Sequence, residues 1–262
     1  MIELYHTGVS TCSQKVRLVL AEKGLDFTSH DVNLIGGGQH DPEYVKLNPN
    51  HVVPTLVDDG QVFIESTLIN EYLDEAYPDI AMRPADAAGR HAVRLWTKKI
   101  DTMHPLCGVI TFAIGPRTIL LNQPAEVREA NINAIPDPAQ RERRRSVVEH
   151  GVKAPEFEGA LLAHLTFLDN MEAALDESPW LSGDLFGLAD AAALPYVLRI
   201  DHLSMAPLLT ARSRVSDWFA RVQARPAYQT AVTDWLAEPV VAMFRGNGEA
   251  VWSEVEQIAK GA

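Results

Sequence analysis

The residues best suited to chemistry stand together near the start of the chain, at Ser10-Thr11-Cys12-Ser13. They follow a short apolar strand and Gly8, and they precede Val16, Val19 and Leu20, which are spaced as on an amphipathic helix. The four side chains are therefore expected at a helix N-terminus, where free backbone N–H groups and a partial positive charge favour a carboxylate, phosphate or thiolate. A plain helix cap is the alternative, since Ser and Thr are preferred at that position.

The elements that must position this turn follow from the periodicity of the apolar residues. Residues 1–80 alternate between strand and helix patterns in the order β-α-β-α-β-β-α. Asp58-Asp59-Gly60 separates the last two strands and is typical of a hairpin turn, since Asp and Gly tolerate a positive φ. The pattern predicts a mixed sheet flanked by helices. We place strands at 2–6, 26–32, 54–58 and 61–64, and helices at 13–23, 42–47 and 66–76.

After Tyr77-Pro78 the apolar spacing becomes helical almost throughout. We predict an α/β domain over 1–80, a linker at 81–86 and an all-α domain over 87–262. Residues 114–138 contain four prolines, which predicts an irregular excursion or a broken helix. The tail after Glu238 is only weakly patterned. The expected helices lie near 86–113, 139–150, 156–177, 188–200, 211–224 and 226–236.

The composition is that of a folded protein with a substantial core, since 47% of the 262 residues are hydrophobic. A formal net charge of -12 argues against a nucleic-acid partner, because that affinity rests on clustered Lys and Arg. The one basic run, from Arg141 to Arg145, is flanked by acids and is predicted to be a solvated helix face.

The sequence has no run of eighteen or more apolar residues and no signal-peptide pattern. We therefore expect a cytoplasmic protein with no membrane partner. Its two cysteines, Cys12 and Cys107, cannot build the disulfide framework of a small secreted domain. The nine histidines are scattered, so we also expect no metal site.

Four motifs taken together resemble those of the cytosolic glutathione transferases. They are the segment 10–13, the segment 47–56 with Val53-Pro54, the pair Glu65-Ser66, and Leu181-Ser182-Gly183-Asp184 running into Leu188-Ala189-Asp190. The resemblance covers nearly the whole chain and implies a thioredoxin-like domain followed by an all-helical domain. It also implies glutathione as co-substrate, a hydrophobic electrophile as second substrate, a homodimer and a role in detoxification.

The resemblance assigns roles in glutathione binding to residues of the N-terminal domain. Ser10 matches the activating serine of the serine-type classes, whose hydroxyl stabilises the thiolate, and Thr11 and Ser13 are alternative donors. The other implied contacts are Gln39, His40 and, by a looser match, His51 for the glycyl carboxylate, Val53 with a cis Pro54 for the cysteinyl part, and Glu65 with Ser66 for the γ-glutamyl group.

Cys12 supports a different chemistry. A cysteine at a helix N-terminus has a lowered pKa and can form a mixed disulfide with glutathione, which would make the protein a thiol/disulfide oxidoreductase. In cysteine-type relatives the nucleophile stands at the position of Ser10, whereas Cys12 matches the cysteine of the zeta-class Ser-Ser-Cys-Ser motif. Ser10 and Cys12 are therefore both catalytic candidates. A glutathione-binding carrier with little catalysis is a third hypothesis.

The middle of the helical region resembles the bacterial glutathione-dependent β-etherases, which cleave lignin-type aryl ethers. The similarity rests on the excursion 111–138, on Ile135-Pro136-Asp137-Pro138 and on the Arg-rich helix that follows. Such an insertion would shape the pocket for the second substrate. Aromatic and Met residues at helical spacing are also typical of plain core. The residues expected to line the pocket are Val9, Trp96, Met103, Cys107, Phe112 and His104, the last of which could polarise a carbonyl or leaving oxygen.

Asp190 is expected to be structural. The resemblance places it at the start of a buried helix, where its carboxylate accepts hydrogen bonds from backbone N–H groups. The Ser or Thr that usually caps this helix is replaced by Gly187, which is a tolerable N-cap.

Overall fold

The N-terminal part of the chain forms a small sheet with flanking helices, in the predicted order. The computed structural model describes residues 1–261 of the chain. The observed succession β-α-β-α-β-β-α confirms the thioredoxin-like fold expected from the sequence. Its elements are β1 (Ile2–His6), α1 (Thr11–Glu22), β2 (Thr28–Asp31), α2 (Pro42–Leu47), β3 (Thr55–Asp58), β4 (Gln61–Phe63) and α3 (Ser66–Ala76).

The four strands form one mixed sheet in the order β2-β1-β3-β4. β1 pairs in parallel with β2 and antiparallel with β3, with Leu4 opposite Leu56, and β4 pairs antiparallel with β3. The predicted hairpin joins β3 to β4 through Asp59 and Gly60, which have φ angles of 46° and 81°. A positive φ at both turn residues is what a tight hairpin requires.

The rest of the described chain is helical. The predicted excursion contains two short helices, Arg117–Asn122 and Ala125–Asn133, and the short helix Ala206–Thr210 was not expected. Within residues 1–261, none of the helices has the length and apolar character needed to cross a membrane. The division at residues 80 and 87 stays a prediction, and residue 262 lies outside the described part. The helices are α4 (Ala87–Ile114), α5 (Arg117–Asn122), α6 (Ala125–Asn133), α7 (Pro138–His150), α8 (Pro155–Glu177), α9 (Leu188–His202), α10 (Ala206–Thr210), α11 (Ser213–Gln223), α12 (Pro226–Ala231) and α13 (Glu238–Lys260).

The weak patterning of the tail is misleading, because α13 is a regular helix of 23 residues. It packs against α4, α8 and α9. Part of that contact is made through Gly248, where an added Cβ would lie 1.8 Å from the carbonyl oxygen of Leu203. A helix that approaches its neighbour through glycine shows no apolar residue at that position, so its period is hard to detect in the sequence.

Asp190 organises the start of α9, as predicted. Its carboxylate accepts hydrogen bonds from the backbone N–H groups of Leu181, Ser182 and Gly187 at 2.8, 3.1 and 3.1 Å. The indole N–H of Trp218 donates to the same carboxylate at 2.8 Å. The carboxylate is buried, and its pKa is raised by burial despite these donors. One side chain therefore holds the loop before α9 to α9 and α11.

Replacing Asp190 by Ala should lower the free energy of unfolding by about 3 kcal/mol or more, since each buried donor left without an acceptor costs about 1–3 kcal/mol. Urea unfolding followed by circular dichroism measures the loss. Asp184→Ala is the matched control, because Asp184 is exposed on the same loop. Equal stability of the two variants would contradict the structural role of Asp190.

Candidate active site

A cavity of about 650 Å³ lies between the sheet domain and the helical domain. Its wall is formed by the loop between β1 and α1, by parts of segments 31–40 and 50–53, and by side chains from α4 to α7, α9 and α13. The predicted turn and most of the predicted pocket residues thus share one cavity. The sequence-predicted residues that line it are Val9, Ser10, Thr11, Cys12, Gln39, His40, His51, Val53, His104, Cys107 and Phe112.

Trp96 and Met103 do not line the cavity, so the prediction that they belong to the pocket is wrong. Met103 is buried in the core of the helical domain. Trp96 packs edge-to-face on Phe167 of α8, with ring centroids 6.2 Å apart. Helical spacing shows that a helix has an apolar face, but it cannot tell which neighbour that face meets. The predicted glutathione residues outside the cavity wall are Ser13, Pro54, Glu65 and Ser66.

Ser10 is the N-cap of α1. Its Oγ accepts a hydrogen bond from the backbone N–H of Ser13 at 3.2 Å. The Oγ of Ser13 accepts in turn from the backbone N–H of Thr7 at 3.4 Å, so Ser13 holds the preceding loop against the helix. A hydroxyl that accepts a hydrogen bond still has a proton to donate. Ser10 can therefore cap the helix and offer its O–H to the cavity at the same time.

Cys12 meets a histidine from the helical domain. Its Sγ lies 3.6 Å from Nδ1 and 3.7 Å from Nε2 of His104 on α4. The Nδ1 atom of His104 is also 3.0 Å from the hydroxyl of Tyr196, which is buried on α9. If the Tyr196 hydroxyl donates to Nδ1, His104 keeps its own proton on Nε2, which lies 3.7 Å from the sulfur. The two domains thus contribute to one Cys-His-Tyr chain.

The surroundings of Cys12 favour its thiolate. Burial by itself raises the pKa of the thiol, but the positive charges of His104 and Lys15 and hydrogen bonds from His104 and Ser66 outweigh it and lower the pKa to about 6. The nearby Cys12 charge raises the pKa of His104, with burial acting against that rise. By contrast, burial raises the pKa of Cys107, so the surroundings of Cys107 favour the protonated thiol while those of Cys12 favour the thiolate.

An ion pair between a buried lysine and a half-exposed aspartate joins α1 to the helical domain directly behind this site. The ammonium of Lys15 lies 3.2 Å from the carboxylate of Asp101 on α4, and the same oxygen accepts from the Thr67 hydroxyl of α3 at 2.7 Å. The ammonium also lies 5.3 Å from the centroid of the Tyr196 ring. Sequence reasoning missed Lys15 and Tyr196, since neither belongs to a motif near the turn.

A second buried cation, Arg17, holds the loop between β1 and α1. Its guanidinium donates to the carbonyls of Thr7, Gly8 and Ala231 at 3.2, 2.9 and 2.7 Å. Burial lowers the pKa of Arg17 to about 9. The loop also needs a glycine, because a Cβ on Gly8 would lie 2.0 Å from the Trp235 carbonyl oxygen. An Arg inside the apolar face of α1 is the signal in the sequence that could have revealed this role.

The residues expected to hold the glycyl carboxylate form a hydrogen-bonded row. The Nε2 atom of Gln39 is 3.0 Å from Nε2 of His40, whose Nδ1 is 2.9 Å from Nδ1 of His51. The pKa of His40 is lowered, first by burial and then by the charge of His51. The Oε1 atom of Gln39 is buried and accepts no hydrogen bond within the described chain. The row thus has unused polar capacity at the edge of the cavity.

The remaining predicted glutathione residues surround the entry to β3 and the start of α3. The Val53-Pro54 peptide bond is cis, as the resemblance implied. Glu65 has a φ of 68°, and its carboxylate accepts from the side-chain amide of Asn50 at 3.2 Å. Ser66 is the first residue of α3, so its backbone N–H is one of the free donors of that helix.

The basic run on α7 is only partly a solvated face, which corrects the sequence-based expectation. Arg141 donates to the carbonyls of Ile135 and Pro136, and Arg145 pairs with Glu129 and Glu142. The other two arginines of the run line the cavity. They share that face of the helix with Gln140, Val147 and Val148, so the lining residues on α7 are Gln140, Arg143, Arg144, Val147 and Val148.

Other parts of the wall were not expected from the sequence. α13, the unpredicted helix, contributes Val240, Met243 and Phe244, and α9 contributes Arg199. Across residues 1–261, no three His, Cys, Asp or Glu side chains are grouped so as to hold a metal ion. The polar groups of the cavity wall include thiols, hydroxyls, imidazoles and guanidinium groups.

Comparison with known proteins was made for the whole chain. Residues 4–82 match the family model "Glutathione S-transferase, N-terminal domain", and residues 135–226 match "Glutathione S-transferase, C-terminal domain". Glutathione S-transferase 3 of Zea mays is 31% identical over 236 residues, covering 88% of this chain and 93% of that protein. Protein LigF of Sphingobium sp. is 31% identical over 239 residues, covering 86% of this chain and 91% of that protein.

The fold comparison agrees with the sequence comparison. The crystal structure of β-etherase LigF from Sphingobium sp. strain SYK-6 matches with a TM-score of 0.79 at 28% identity, and the match covers 88% of this chain and 98% of that one. Two domain models in the expected order and full-length relatives above 30% identity lead to one conclusion. The chain belongs to the glutathione S-transferase family, which uses glutathione as its co-substrate.

Proposed function

We propose that this protein binds glutathione beside the N-terminus of α1, lowers the pKa of its thiol through the Ser10 hydroxyl, and directs the thiolate at a hydrophobic electrophile. The single observation that supports this most strongly is the shared cavity, in which the N-cap of α1 faces apolar side chains such as Phe112, Ile119 and Phe244. A free thiol is mostly protonated at neutral pH, whereas a hydroxyl donor and a helix N-terminus stabilise its anion.

In the proposed reaction a carbon–sulfur bond forms while the bond to the leaving group breaks. For an aryl ether, the thiolate attacks the ether carbon, and the aryl oxide departs with the electron pair and takes up a proton. His104 is the proposed proton donor, since it lines the cavity and its pKa is raised. The neighbouring Cys12 charge is the main cause of that rise, and burial opposes it. The likeness to β-etherase LigF supports aryl-ether cleavage as the finer activity.

The proposed glutathione contacts follow the chemistry of each group. The N–H of Ser66 is assigned to the γ-glutamyl carboxylate and Glu65 to the γ-glutamyl ammonium. Val53 is assigned to the cysteinyl backbone. The row formed by Gln39, His40 and His51 is assigned to the glycyl carboxylate. The free N–H at the start of α3 supports the placement of the γ-glutamyl carboxylate. A homodimer in the cytoplasm is likewise proposed from the family resemblance.

Replacing Ser10 by Ala should lower kcat/KM for an aryl ether ketone about 100-fold at pH 6.5, the scale of losing one donor to a developing or bound anion. The loss should shrink as the pH rises above the pKa of the thiol, because the anion then forms without help. The initial rate of thioether formation, measured against pH for the parent and the variant, tests this prediction. Cys12→Ser tests the other catalytic candidate at the same turn and should lower kcat/KM less than Ser10→Ala does, although it removes the charge that raises the pKa of His104. A Ser10→Ala enzyme with full activity at pH 6.5 would rule out the serine role.

A second function is favoured by one observation, the contact of Cys12 with His104. In this reaction the Cys12 thiolate attacks the glutathione sulfur of a mixed disulfide, forms a Cys12–glutathione disulfide and releases the substrate thiolate. A second glutathione thiolate then attacks that disulfide, releasing oxidised glutathione and restoring Cys12. A pKa of about 6 for Cys12 supports this chemistry at neutral pH.

The rate of Cys12 alkylation by iodoacetamide should rise with pH around a midpoint of about 6, because only the thiolate reacts. His104→Ala should move the midpoint upward, since burial then acts on the thiol without its nearest positive charge. Mass spectrometry of the modified peptide gives the rate at this position, and Cys107, which is buried, serves as the internal control. An unchanged midpoint in the His104 variant would show that the histidine does not stabilise the thiolate.

A further inference from the structure

The cavity has a charge opposite to that of the protein. The chain has a formal net charge of -12. Among the cavity-lining residues, by contrast, Asp31 supplies the one carboxylate, while four arginines line the wall. They come from three helices and are Arg128, Arg143, Arg144 and Arg199. A concentration of cations in an acidic protein marks a place where an anion gains interaction energy.

Arg144 is the cation with the clearest need for a partner. Within the described chain its guanidinium takes part in no ion pair or hydrogen bond, whereas its neighbour Arg145 pairs with Glu129 and Glu142. The Arg144 guanidinium carbon lies 3.2 Å from the centroid of the Phe112 ring, which is a cation–π contact. Burial lowers the pKa of Arg144 to about 10, so the group is still charged at neutral pH.

Arg199 adds a second positive group to the same cavity. It is 4% exposed, and its Nε is buried without an acceptor among the described residues. One of its N–H groups donates to the carbonyl of Val9, beside the predicted thiol site, and its guanidinium carbon lies 5.1 Å from the Phe244 ring centroid. Buried cations without a counter-ion are costly, and an anionic ligand would offset that cost.

We propose that the second substrate of this cavity is an aryl acid, an electrophile whose carboxylate pairs with Arg144 while its ring packs on Phe112. The inference rests on the proposed transferase function, because it names the substrate class of that same site. A guanidinium stacked on an aromatic ring and free of protein carboxylates is arranged to bind a carboxylate with two parallel hydrogen bonds. The acid group thereby fixes the orientation of the molecule in an otherwise apolar cavity.

The positions on α4 set the length of such a substrate. Phe112 follows His104 by eight positions on the same helix. At about 1.5 Å per residue these side chains are ~12 Å apart along the axis. A carboxylate at Arg144 therefore leaves room for a ring and a short side chain between that carboxylate and a reacting carbon beside His104. Small acids would pair with Arg144 without reaching the thiol.

The test uses an inert pair of ligands, biphenyl-4-carboxylate and biphenyl-4-carboxamide, whose affinities are measured by calorimetry with saturating glutathione present. The parent should bind the acid about tenfold or more tightly than the amide, the scale of a charge-assisted contact. Arg144→Gln should reduce that preference about tenfold, and Arg144→Lys, which keeps the charge but not the two parallel hydrogen bonds, should reduce it less. Arg145→Gln is the matched control, since it removes the same charge from the adjacent, outward-facing position and should leave the preference unchanged.

Three results would overturn the aryl-acid site. The parent could bind acid and amide equally, Arg145→Gln could act as strongly as Arg144→Gln, or Arg144→Gln could weaken glutathione binding itself about tenfold. If thermal unfolding shows that the Arg144→Gln variant is not folded, Arg144→Lys takes its place. That variant shows whether the charge or the shape of the Arg144 side chain sets the preference for the acid. Thioether formation from a carboxylated phenacyl aryl ether is measured in parallel. Tight acid binding without turnover would contradict the proposed function alone, and turnover without acid preference would contradict this inference alone.

Discussion

The burial of two cations in one helix constrains the rest of this structure. α1 lies between the sheet, α3, α9 and α12, and it holds Lys15 and Arg17 out of water. Removing an ion from water costs of the order of several kcal/mol unless its partners are well placed. Lys15 is met by Asp101 of the helical domain, and Arg17 by loop carbonyls including that of Gly8. Satisfying these charges fixes both the loop before α1 and the helix against which it packs.

The active-site geometry is a consequence of that packing. Because α1 is tied to α4 through Lys15 and Asp101, Cys12 at one end of α1 is brought to His104 on α4, with Tyr196 of α9 behind it. Neither domain could assemble this group alone. The cavity then extends along α4 toward α7 and α13, so the turn before α1 and the apolar part of the cavity share one helix as their common wall.

The charge pattern of the cavity arises from helix geometry. On α7 a run of arginines divides between two faces, so that Arg141 and Arg145 bind groups outside the cavity while Arg143 and Arg144 line it. Arg141 and Arg145 are four positions apart and lie on one face of α7, whereas Arg143 and Arg144 lie between them on the side that meets the cavity. A protein that is acidic as a whole can in this way have a cavity rich in cations.

The sequence by itself determined the order of elements in the first domain, the helical second domain, the cluster of hydroxyls and a thiol at the N-terminus of α1, and the role of Asp190, because these depend on local periodicity, capping and compact motifs. Only the tertiary structure decided which face of α4 meets the cavity, so that His104 lines it while Trp96 packs on α8. It also decided that α13 is regular, since a contact made through Gly248 leaves no apolar signal. The Cys12–His104 contact joins residues 92 positions apart, and no local pattern encodes a distance of that kind.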